Sequence, residues 1–149
     1  MTDHHVILRV ISKMLIPIIV VYAFYVEFHG DYGPGGGFQA GVILAVAIIL
    51  YALIFGVPEA LEAVPASFAR ALAGLGLLLY AGVGVWALIN GGNFLDYSVL
   101  IDEPEGGHAG QHLGILLIEI GVLFTVSGSM LTIFYAFAGR VAEIRDEDW

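Results

Sequence analysis

The residue best placed to do chemistry is Glu119, in the run Leu116-Leu-Ile-Glu-Ile-Gly-Val122, which has no basic neighbour in sequence. A carboxylate in hydrocarbon costs on the order of 2.5–3.5 kcal/mol on insertion scales, so it has to face protein, a wet cavity or a partner. Counted from Leu113, where the apolar run begins, it lies about 9 Å below the outer edge of its helix at 1.5 Å per residue. Such a group can take up and release a proton near neutral pH, which makes it a candidate for an ion or proton pathway. The competing reading is a neutral glutamate hydrogen-bonded across a subunit interface. A second cluster, Glu27, His29 and Asp31, stands at the end of another apolar run. The C-terminal end of a helix favours a cation there, and an imidazole beside acids suits proton transfer. An interfacial polar pair at headgroup depth would place the same residues there.

His108 and His112 have i, i+4 spacing, with Glu119 seven residues further on. A metalloprotease helix would need His-Glu-x-x-His, whereas the stretch reads His108-Ala-Gly-Gln-His112, and Gly106, Gly107 and Gly110 weaken a helix there. No metal site is expected, and His112 reads instead as a protonatable group on the outer approach to Glu119. The segment His29-Gly-Asp-Tyr-Gly-Pro-Gly-Gly-Gly-Phe-Gln-Ala-Gly41 is a polar, glycine-packed turn between two apolar runs. It lacks the Gly-Lys-Ser/Thr of a phosphate loop. Pro34 stops the upstream structure, while Gly35, Gly36 and Gly37 permit close approach, with Phe38, Gln39 and Gly41 opening the next helix. Non-helical backbone at membrane depth is tolerated only inside protein or along a water-filled cavity, so the turn is expected to fold back into an assembly.

The elements that position these groups follow from composition. The 149 residues are 59% hydrophobic and 13% charged, with a mean hydropathy of +0.90, which excludes a soluble surface. There is no cysteine, hence no disulfide or thiolate site. Four apolar stretches are long enough to cross a bilayer, about residues 6–28, 37–55, 69–89 and 113–137. The expected fold is an all-α integral membrane protein, one transmembrane domain over residues 1–149, with Pro17 kinking the first helix without ending it. The runs are continuous rather than alternating, which excludes a barrel. The N-terminus does not read as a cleaved signal, since the apolar run after Lys13 is too long and no small-residue cleavage site follows.

Arg9, Lys13, Arg70, Arg140 and Arg145 all fall on one side of these spans, so both termini are expected to be cytoplasmic. The outer half then carries Glu27, Asp31, Asp96, Asp102, Glu103, Glu105 and Glu119 with no Lys or Arg, an anionic mouth that concentrates cations. Acidic loops that merely keep the surface solvated are the plainer account of residues 96–105. Small residues recur at helical spacing: Gly41, Ala45, Ala52 and Gly56; Gly74 and Gly82 beside Gly76 and Gly84; Gly114, Gly121 and Gly128. These are more close-packing faces than an isolated bundle needs, which implies contacts with other subunits.

His29, Pro34-Gly-Gly-Gly-Phe-Gln39 and Gly41, followed by an apolar helix and later by Glu119-Ile-Gly121, resemble the signature of the B-subunit family (MnhB type) of Mrp multisubunit sodium/proton antiporters. The resemblance covers nearly the whole chain. It implies a four-helix accessory subunit with no cofactor and no covalent chemistry of its own, in the cytoplasmic membrane of a bacterium or archaeon. Its partners would be the other antiporter subunits, the bilayer, and transported Na⁺ and H⁺, with no nucleic acid. Within that complex Glu119 would be a relay and Glu27, His29 and Asp31 an outer access cluster. Related subunits occur in hydrogenase-like and complex I-like assemblies, which is the alternative parent.

Overall fold

The computed structural model describes residues 3–30, 36–101 and 108–139, and side chains from residue 6 onward within them. Asp31, Pro34 and Gly35 lie outside these residues, as do the loop acids Asp102, Glu103 and Glu105 and the C-terminal Arg140 and Arg145. Every described element is helical: α1 (Asp3–His29), α2 (Gly37–Phe55), α3 (Val57–Ala63), α4 (Ala66–Ile89) and α5 (Ala109–Ala138), with one 3-10 turn at Tyr97–Val99. Four of them, α1, α2, α4 and α5, are long and apolar enough to cross a membrane. The helix α1 continues through Pro17. The short α3 had no counterpart in the hydropathy reading, because it is formed by a break rather than by an apolar run. Gly56 ends α2 at a φ of 117° that L side chains rarely adopt, and Pro58 occupies the first turn of α3.

The helices stand in a row, α1–α2–α5–α4, rather than in a closed bundle. Helix α2 packs on α1 and on α5, and α5 packs on α4; α1 meets α5 only marginally, and α1 and α4 make no substantial contact. Helix α1, at one end, buries 11% of its apolar window, against 28% for the central α2 and α5. At its N-terminal half, the Arg9 guanidinium carbon and the Lys13 Nζ lie 5.9 and 5.7 Å from the centre of the Phe55 ring. Both cations thus sit by the C-terminal end of α2, where a ring face and the negative end of a helix dipole favour them.

Small residues set the helix-to-helix distances, as expected where lipid supplies little drive for association. Gly41 of α2 lies against the Leu123 carbonyl and Val126 of α5. On the opposite face of α5, Gly121 meets the Gly76 carbonyl and Tyr80, and Gly128 meets the backbone of Ala69 and Ala73. The two glycine stripes of α4 therefore separate: Gly76 and Gly84 face protein, while Gly74 and Gly82 look into open space. The loop after α4 is packed rather than free, with the Phe94 ring on Gly84 and the Tyr97 ring on Gly114. At the other end of the molecule the Tyr135 hydroxyl donates to the Val64 carbonyl at 3.1 Å and holds α3 against α5. Three hydroxyls of α5 bond to their own helix: Thr125 Oγ1 donates to the Gly121 carbonyl, Ser127 Oγ to Leu123 and Thr132 Oγ1 to Gly128, at 2.7–2.8 Å, and Thr125 Oγ1 also reaches the Ala73 carbonyl of α4 at 3.5 Å.

A side chain at Gly76 would have to push α4 off α5. Gly76→Leu is expected to cost about 1–3 kcal/mol or more through overpacking, read as a lower thermal midpoint of the purified protein, whereas Gly74→Leu, which enters open space, leaves that midpoint unchanged.

Candidate functional site

The site is built where three segments meet. Helix α1 runs on to His29, and the chain then returns so that the Gly36 N–H donates to the Val26 carbonyl at 3.3 Å. The Gly30 N–H donates to the Glu27 carbonyl, also at 3.3 Å. A Cβ on Gly30 would stand 2.8 Å from the Gly36 Cα, so the two ends of the turn touch backbone to backbone. Gly36 has φ 119° and ψ 177°, a conformation open in practice only to glycine. From there α2 starts with Gly37 pressed against the backbone of Glu119, so closely that any side chain on Gly37 would overlap the Glu119 carbonyl.

Glu119 projects from this contact, and its Oε1 lies where a Cβ on Gly36 or Gly30 would come within 2.9 or 3.0 Å. The glycine turn and the deep carboxylate, read from the sequence as two separate features, are thus one site. Beside it a cleft of about 450 Å³ runs between the C-terminal end of α1 and the N-terminal part of α5. Glu27, Glu119 and His112 line it, with Phe28, Ile101 and Leu116 among its apolar walls. Burial increases inward: His112 is exposed, Glu119 is half-buried, and Glu27 is 2% exposed. His112 and Glu119 share a face of α5, seven residues and about 10 Å apart along the axis.

Glu27 is the most unusual group in the molecule. It belongs to the inward stripe of α1 with Ala23 and Val26, and neither of its carboxylate oxygens has a hydrogen-bond partner among the described residues. Glu27 and Glu119 are near enough to repel one another. His29, two residues on and so on the other side of the helix, is not part of the cleft; its ring stacks on Tyr25 at 5.3 Å. Of the sequence cluster, Glu27 and His29 are turned apart, Glu27 toward Glu119 and His29 toward Tyr25, while Asp31 is outside the described residues. Phe38 is exposed, and Gln39, also exposed, brings its Oε1 near Gly36. Gly30 carried no sequence signal beyond its place in the turn, whereas the spacing of Ala23, Val26 and Glu27 marks Glu27 as inward-facing.

The described loop acid has a local task. Asp96 accepts hydrogen bonds from the Ser98 Oγ at 2.5 Å and the Ser98 N–H at 3.2 Å, which hold its carboxyl below the usual carboxylate range. It closes the turn that seats Tyr97 on Gly114 and lies outside the cleft. Among the described residues no group of three His, Cys, Asp or Glu could hold a metal ion. The arrangement can accept, hold and pass a proton or a small cation between carboxylates, and it offers no nucleophile with a base.

Gly36→Ala is expected to cost about 1–3 kcal/mol from its backbone conformation and to displace the Glu119 carboxylate. Thermal denaturation of the purified complex checks this, with Gly82→Ala, helical and in open space, as the silent control.

Residues 7–132 match the family model described as "Domain related to MnhB subunit of Na+/H+ antiporter". A protein of Staphylococcus aureus (strain MRSA252) and one of Staphylococcus haemolyticus (strain JCSC1435), each described as "Putative antiporter subunit mnhB2", are both 36% identical to the chain over 140 residues, 93% of it and 98% of theirs. The match spans α1 through most of α5 and includes the turn, Glu27 and Glu119, and it places the chain in the MnhB family of Na⁺/H⁺ antiporter subunits.

Proposed function

We propose that this accessory subunit of a multisubunit Na⁺/H⁺ antiporter carries part of the ion pathway as well as helping to hold the complex together. The observation that supports this is the cleft in which His112, Glu119 and Glu27 succeed one another from an exposed rim to a buried wall. His112 takes up protons at the outer rim, Glu119 relays them, and Glu27 shares the charge. The chain performs no covalent chemistry and needs no cofactor of its own. It works among the other antiporter subunits, in the cytoplasmic membrane of a bacterium or archaeon, and serves Na⁺ and pH homeostasis. Both termini are cytoplasmic, a reading supported by Arg9, Lys13 and Arg70 at one end of the row and by the lack of Lys or Arg from residue 90 to 112.

Glu119→Gln is expected to abolish or strongly reduce Na⁺/H⁺ antiport in membrane vesicles while the complex still co-purifies. Unchanged antiport would leave the subunit a packing role alone. Orientation is checked separately, because a chain without cysteine accepts single reporters cleanly. Asn93→Cys should react with an impermeant maleimide in intact cells, and Ala66→Cys only after the membrane is opened; the reverse pattern would invert the topology.

A further inference from the structure

The buried, unpartnered carboxylate of Glu27 calls for a ligand. It lines the cleft 2% exposed, with no hydrogen bond to either oxygen among the described residues, and a second carboxylate, Glu119, lines the same cleft. Among the described residues no Lys or Arg lines the cleft: Arg9 and Lys13 lie at Phe55, and Arg70 lies in the first turns of α4 where that helix meets Gly128, well down α5 from Glu119. Among the described residues, the groups facing the pair from the packed elements include His112 of α5 and, from α2, the neutral Gln39 by way of Gly36. Two carboxylates in low dielectric do not both stay ionised without a cation between them. The C-terminal end of α1 adds the negative end of its dipole and its last carbonyls, the kind of helix end that receives small cations in transporters.

We propose that Glu27 and Glu119 form a cation-exchange site in which a proton and one partly dehydrated Na⁺-sized monovalent cation compete for the same carboxylates. A divalent ion is disfavoured by charge. Two carboxylates in an apolar cleft that keep one proton between them carry a single negative charge, which one monovalent cation balances, and Mg²⁺ gives up its water reluctantly. The glycines at positions 30, 36 and 37 bring backbone against one side of Glu119, and the cleft of about 450 Å³ on its other side is the space open to an ion and its remaining waters. This site deepens the reading of the cleft as part of the ion pathway.

A hydrophobic carbodiimide tests it, because it modifies protonated carboxyl groups in apolar surroundings and not those holding a metal cation. The intact antiporter complex is treated in detergent near neutral pH with choline, K⁺, Na⁺ or Ca²⁺ at equal ionic strength, and the adduct is located by peptide mass spectrometry. In choline an adduct is expected on Glu27 or Glu119, and Na⁺ should suppress it. In Glu27→Gln the adduct should form on Glu119 whether or not Na⁺ is present. Absence of any adduct in choline, an adduct indifferent to Na⁺, protection by Ca²⁺ but not Na⁺, or Na⁺ protection that survives Glu27→Gln would each overturn the site. The wild-type result stands without the variant. The two readings fail separately: antiport unaffected by Glu119→Gln alongside Na⁺ protection keeps the site and removes the pathway, whereas lost antiport without protection does the opposite.

Discussion

The contact on which the rest of the site depends is that of Gly37 with the backbone of Glu119. It fixes the start of α2 against the middle of α5 at a distance no side chain would allow. Because Gly36 and Gly30 precede it in the same fold-back, the contact also determines what surrounds the Glu119 carboxylate: backbone, with no bulky neighbour on that side. Further along the seam Gly41 repeats the arrangement at Leu123, so one register places both the helix pair and the acid. In lipid, where apolar faces gain little by meeting each other, such close approach supplies the association itself.

Polar groups in the spans divide into two kinds. Ser127 and Thr132 return their hydroxyls to carbonyls of their own helix and ask nothing of their surroundings, and Thr125 does the same while also reaching the Ala73 carbonyl of α4. Glu27 has no such local solution, because its carboxylate accepts hydrogen bonds and cannot donate one when ionised. Its burial is a cost the fold accepts at one place, and that place is beside the second acid, in the cleft that both acids line.

Much of this was legible in the chain. The apolar runs located four long helices, because a bilayer imposes one length on every span. Glu119 stood out by its neighbours alone. The glycine turn was recognisable from Pro34 to Gly41, but its target was not, since nothing in residues 29–41 names a residue eighty positions away. Grouping Glu27 with His29 relied on closeness in sequence, whereas two residues on a helix point to nearly opposite sides, as the Tyr25–His29 stack shows. The seating of Phe94 and Tyr97 on Gly84 and Gly114 was likewise hidden, because an aromatic in a loop and a glycine in a helix become a pair only in three dimensions. Two glycine stripes on α4 looked equivalent; their different surroundings come from the order of helices in the row, which hydropathy does not encode.

A row one helix thick has little interior, and the cleft that Glu27 and Glu119 line stays open on one side. Glu27 is covered by this chain alone, whereas half-buried Glu119 and the broad exposed faces of the row meet whatever lies beside them. As one subunit of a larger complex, such a row works as a partition between its neighbours rather than as a closed body.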